Sequence, residues 1–116
     1  MNLWPEIRAT DRPAGNPDTV VLHLHVPDNL DYFEGHFPGL PVLPGVVQLH
    51  WAVRLAAEHL GEACKGSRID QLKFLAIVHP GSDLTLTLRL DRNAGTLHFT
   101  YAGSTQAYSS GRISIE

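Results

Sequence analysis

The sequence predicts an α+β fold in which an antiparallel sheet curls around one hydrophobic helix. Three observations carry that expectation. Apolar residues recur at helical spacing in one stretch, between Gly45 and Leu60. Segments of two-residue alternation, separated by turn signals, supply about five or six strands. A chain of 116 residues is long enough to bury a real core but has room for only one, so a single domain over residues 1–116 is expected.

Taken in order, Leu3 to Thr10 is short and interrupted by Pro5, which suits an edge strand or an irregular lead-in. A dense turn signal from Asp11 to Asp18 follows. Val20, Leu22, Leu24 and Val26 then alternate with Val21, His23 and His25, giving a strand with one apolar face. In the helix, Val46, Leu49, Val53, Ala56 and Leu60 share a wide apolar surface, and Gly61 closes it. Its polar positions are few: Gln48, His50, Arg54, Glu58 and His59. Such a helix is expected to be wrapped on most sides. Ile69 to Val78 is expected to carry Leu72, Phe74, Ala76 and Val78 on one face of a strand. Leu84, Leu86, Leu88 and Leu90 alternate strictly, Asp91 to Gly95 makes a hairpin turn, and Leu97, Phe99 and Tyr101 return. After a turn near Gly103, a last strand runs through Ile113 and Ile115.

Composition excludes several classes. With a net charge of −3 and no basic run, the chain is not expected to bind nucleic acid. No apolar run approaches 18 residues and no charged-then-apolar leader opens the sequence, so no membrane span and a cytoplasmic location are expected. The single Cys64 has no internal partner and reads as an inert thiol. His23 and His25 fall on one side of a strand without further ligands at recognisable spacing, so no metal site is expected and the outer face of the sheet is their home. Trp4 and Trp51 read as packing residues, and Arg54 with Glu58 as a helix pair of small energetic consequence.

The segment from Tyr32 to Ala52 is the most informative. Pro38, Pro41 and Pro44 each fix φ and remove a donor, which holds the chain extended, while Gly35, Gly39 and Gly45 permit close backbone approach. A loop carrying Phe33, Phe37, Leu40, Val42 and Leu43 is unsuited to open water and is expected across a groove or subunit seam. His36 would sit there in partly dry surroundings, where a near-neutral imidazole can remove a proton α to a thioester carbonyl; the alternative is a loop histidine bonded to its neighbours. An unpaired amide at Gly45, with the helix dipole behind it, can polarise a carbonyl oxygen; the alternative is that Gly45 only lets the chain turn.

The string Gly35, His36, Phe37, Pro38, Gly39, followed by Pro41, Pro44 and Gly45 and then a helix, resembles the hot-dog-fold β-hydroxyacyl-acyl-carrier-protein dehydratases. The likeness extends over most of the chain, including Phe74 ahead of the turn at Pro80, Gly81, Ser82 and Asp83. Gln48, Leu49, His50, Trp51 and Ala52 look most like the short aryl-polyene-type dehydratases. The resemblance implies a hot-dog fold and conversion of a 3-hydroxyacyl thioester on an acyl carrier protein to the trans-2-enoyl product without a cofactor. It assigns His36 as base, contact with the thioester carbonyl to Gly45, and places Phe37, Pro44 and Val46 around the substrate. The family carries Glu or Asp fourteen positions after the loop histidine, where this chain has His50. His50 is therefore the candidate acid, or else a polar residue facing a partner or solvent. The resemblance further implies a homodimer, or a heterodimer with another hot-dog subunit, and a site shared across the seam. The alternatives are a non-catalytic acyl-binding or partner subunit and an acyl-thioester hydrolase.

Overall fold

The computed structural model describes residues 2–33, 41–62, 64–65 and 68–115. The strands are β1 (Glu6–Asp11), β2 (Thr19–His25), β3 (Ile69–Phe74), β4 (Asp83–Asp91), β5 (Thr96–Ala102) and β6 (Ala107–Ser114), and the helix α1 is Gly45–Leu60. They form one six-stranded antiparallel sheet in the order β1-β2-β4-β5-β6-β3.

The alternation read from the sequence sets the register. Leu22 faces Leu86, which faces Tyr101, which faces Ser109; Val20, Leu88, Phe99 and Gly111 form the next row. Both rows point to the side where α1 lies over β2 and β4. Close packing removes a side chain within the second row: a Cβ on Gly111 would come within 2.7 Å of the ring of Phe99, its cross-strand partner. Phe99 and Tyr101 meet edge to face at 5.9 Å.

Helix α1 begins after Pro44, which starts a helix well but offers no side-chain oxygen as a cap. It ends at Gly61, whose left-handed φ of 70° lets the chain turn away without a Cβ clash. Val47, Gln48, Trp51, Ala52, Leu55 and Ala56 form its buried face. Each large apolar side chain there stabilises the fold by about 1.5–3 kcal/mol. The opposite stripe is open: Val46 is 71 % exposed, and His50 and Arg54 are exposed below it. Within one chain the helix is covered on one side only, which corrects the expectation that it is wrapped on most sides.

A second correction concerns β3. The strand ends at Phe74 rather than Val78, and Gln71, with φ 53°, marks a bulge that shifts its register against β6. Leu72 and Phe74 are exposed, and only Val78 reaches the core. The reason is position in the sheet: β3 is an edge strand that meets α1 at the helix head, where the Phe74 ring packs by Gly45, and most of its apolar surface is left uncovered within this chain.

Candidate active site

The head of α1 combines an open helix terminus with a close aromatic lid. Val47 and Gln48 donate their backbone N–H groups to the Pro44 carbonyl at 3.1 and 3.3 Å. The Gly45 and Val46 amides have no acceptor among the described residues. Two donors at the positive end of a helix dipole have the chemistry to receive a developing oxyanion. The Phe74 ring rests on Gly45 so closely that an added Cβ would sit 2.5 Å from it. A side chain at position 45 would require the half-exposed Phe74 ring or the helix head to shift.

The backbone leading to that terminus is pinned from the sheet and from the helix itself. Leu43 is buried and donates its N–H to the Val78 carbonyl at 2.9 Å. Gln48 is 3 % exposed, contrary to the amphipathic reading that places it among the helix's outward polar positions. Its Nε2 donates to the Leu43 carbonyl at 3.3 Å, and its Oε1 accepts from Ser109 Oγ at 2.7 Å. Tyr101, fully buried, donates its hydroxyl to the Gln48 carbonyl at 2.7 Å. Burial pushes the Tyr101 hydroxyl well above its ordinary pKa of 10.0, so it remains a donor. The network fastens the first turn of α1, and the Pro44 carbonyl that defines it, to β5 and β6. Sequence pattern alone missed Gln48 and Ser109. Tyr101 was the available signal, because a tyrosine in an inward-facing row needs an acceptor.

His50 projects from the open stripe of α1, one turn beyond Val46. Its imidazole lies 5.3 Å from the Trp4 indole, centre to centre, with the planes 33° apart. Arg54, one turn further, sits 5.7 Å from the same indole and pairs with Glu58 at 3.3 Å. Trp51, by contrast, is fully buried, as expected of a packing residue. His36 and Phe37 lie outside the described residues; Gly45, Pro44, Val46 and His50 are placed together on the first turns of α1.

Other groups are occupied elsewhere. His23 Nε2 meets Asp11 at 2.8 Å and His25 Nδ1 meets Asp83 at 2.7 Å, both on the outer face of the sheet. The bond from His25 holds the Asp83 carboxyl below its ordinary range. No group of three or more metal-ligating side chains occurs among the described residues. Burial, and then the neighbouring Glu62, raise the Cys64 thiol, which suppresses its thiolate. A concavity of about 520 Å³ lies by the β4–β5 turn among Arg68, Asp70, Arg92 and Arg112. It contains no residue from the head of α1, and Arg68 and Arg92 are already paired with Asp70, Asp18 and Glu62. No helix among the described residues is long and apolar enough to cross a membrane.

Known proteins resemble this chain in sequence and fold. Residues 12–112 match the family described as ApeI-like, ApeI dehydratase. The chain is 33% identical over 91 residues to the 3-hydroxyacyl-acyl-carrier-protein dehydratase FabZ of Oenococcus oeni, covering 70% of this chain and 66% of that protein. It is 38% identical over 71 residues to the FabZ of Chloroflexus aggregans, covering 55% of this chain and 49% of that protein. The match thus spans 49% to 66% of the length of these relatives. Among solved structures, the dehydratase heterocomplex ApeI:P from Xenorhabdus doucetiae superposes with a TM-score of 0.87 at 32% identity over 96% of both chains. An uncharacterized protein from Erwinia carotovora subsp. atroseptica superposes with a TM-score of 0.82 at 33% identity, over 96% of this chain and 94% of that one. The curled six-stranded sheet with its single helix is accordingly a hot-dog fold, and the chain belongs to the ApeI-like dehydratase family.

Proposed function

We propose that this protein dehydrates a 3-hydroxyacyl thioester carried by an acyl carrier protein, giving the trans-2-enoyl thioester in fatty acid or aryl-polyene-type lipid synthesis. The observation that carries the reading is the uncapped head of α1, where the Gly45 and Val46 amides have no acceptor among the described residues and the Phe74 ring packs beside Gly45. Membership of a dehydratase family and the likeness to FabZ proteins support it. The thioester oxygen accepts from Gly45 N–H, and Pro44, Val46 and Phe37 border the acyl group. His36 takes the α proton, the electrons of that C–H bond form the Cα–Cβ double bond, and the C–O bond at Cβ breaks. His50 donates the proton with which the hydroxyl leaves as water. The two histidines then exchange protons with solvent to reset. A preorganised donor at the oxyanion contributes on the order of 100-fold or more to such a step, and each proton-transfer group a comparable amount.

The acyl site is completed by a second hot-dog subunit, either another copy or a related chain. The β3 edge carries exposed Ile69, Leu72 and Phe74, continued by Leu75 and Ile77, and adjoins exposed Val46. The other edge, β1, bears Glu6, Arg8 and Asp11, the charges that discourage edge pairing. An apolar edge at one side and a charged one at the other favour a single mode of association through β3. The heterocomplex named for the Xenorhabdus neighbour supports a two-subunit assembly.

A second reading, a partner subunit with no activity of its own, is favoured by one feature: position 50, where the resemblance implies a carboxylate, is a histidine. The two are separated by single substitutions assayed for enoyl product. His36→Ala and His50→Ala should each lower turnover on the order of 100-fold without unfolding the protein, and His50→Glu should restore part of the loss. Full activity of His50→Ala would remove it as acid. A wild-type chain active only when mixed with a second hot-dog subunit would establish the partner reading.

A further inference from the structure

The residues before β1 are anchored at two places. On one side, Asn2 accepts from the Asp31 N–H at 2.9 Å through its carbonyl, donates its own N–H to Asp31 Oδ1 at 3.2 Å, and donates Nδ2 to Asn29 Oδ1 at 2.8 Å. On the other, the carbonyl of Leu3 accepts from Trp51 Nε1 at 3.0 Å. Trp51 is fully buried in α1 and directly follows His50, so this bond fixes the strap to a rigid part of the core. Between these anchors and β1, the Trp4 indole is laid across His50 and Arg54.

We propose that Trp4 is a positioning residue that holds the His50 imidazole at the subunit seam. The proposal rests on the reading of His50 as the proton donor. The stack restricts the torsions of a side chain otherwise exposed on an open helix face, and the guanidinium of Arg54, tethered by Glu58, bears on the same indole. A proton donor fixed in one rotamer loses little freedom on reaching the transition state, whereas a mobile one spends most of its time misaligned. At 38 % exposed, Trp4 contributes modestly to the core, so its removal should leave the fold intact.

The test combines steady-state kinetics with NMR of the His50 ring protons. Trp4→Ala should lower kcat by about 10-fold with KM changed by no more than about twofold, Trp4→Phe should keep most of the activity, and Arg54→Ala should give a smaller loss in the same direction. The His50 ring resonances should lose the shielding of the indole in Trp4→Ala and keep part of it in Trp4→Phe. Because Trp4 acts through His50, Trp4→Ala should add nothing to the loss already caused by His50→Ala. Normal kcat in Trp4→Ala, unchanged His50 resonances, or a full additional loss in the double variant would each overturn the proposal. A His50→Ala enzyme of normal activity would instead sink the reading of His50 as acid, which is a separate outcome.

Discussion

At the scale of single residues, the proposed function places a demand on Gly45, where a side chain has little room. A methyl group there would meet the Phe74 ring at 2.5 Å, forcing the ring or the helix head to move. Gly45→Ala is expected to lower turnover by about 10-fold or more, because a small displacement of the oxyanion donors weakens them most when charge develops. Pairing it with Phe74→Leu should restore part of the loss if the ring is the obstacle, and kinetics on both variants decide this. Gly45 was legible because an apolar helix started directly after Pro44. Gln48 was not, since a polar residue in an amphipathic helix ordinarily faces water and its partner Ser109 lies 61 residues away. Trp4 was also missed as a neighbour of His50, because a short stretch broken by Pro5 has no periodicity to show where it docks. Cys64, with its raised pKa, should react slowly with iodoacetamide at pH 7 relative to a free thiol.

At the scale of elements, the junction of α1 with β5 and β6 rests on a buried polar network whose parts are interdependent. Gln48→Leu leaves Ser109 Oγ buried without its acceptor and should destabilise the protein by about 1–3 kcal/mol in urea unfolding; adding Ser109→Ala should recover part of that. Tyr101→Phe should cost about 1 kcal/mol through the lost bond to the Gln48 carbonyl. Tyr101 also sets an alkaline limit. Its pKa is raised in the folded state, so its stabilising contribution is complete below about pH 10, where the unfolded tyrosine titrates, and is lost as pH rises toward the folded value. Unfolding midpoints measured above pH 10 should fall less steeply in Tyr101→Phe than in wild type. The strands β2, β4 and β5 were legible because alternation follows directly from one buried face. For β3 the same alternation misled, because an edge strand can carry inward-type residues that only a second subunit covers.

At the scale of the whole molecule, the single chain has an uncovered stripe on α1, an apolar β3 edge and a charged β1 edge, the surfaces on which the proposed two-subunit site depends. Phe74→Asp together with Ile77→Lys should shift sedimentation toward the monomer and abolish turnover, while the folded sheet persists by circular dichroism. Retained association would move the seam away from β3. The family was more legible than the fold's edges, since its resemblance rests on a compact motif from Gly35 to Gly45, whereas the edges depend on where the sheet ends. The most direct test of the central claim is mass analysis of a carrier protein bearing a 3-hydroxyacyl thioester after incubation with this protein, alone and with a second hot-dog subunit. The account predicts that the bound acyl group loses the mass of one water and gains a trans-2 double bond. An unchanged acyl group under both conditions, or release of the free carrier thiol, would contradict it.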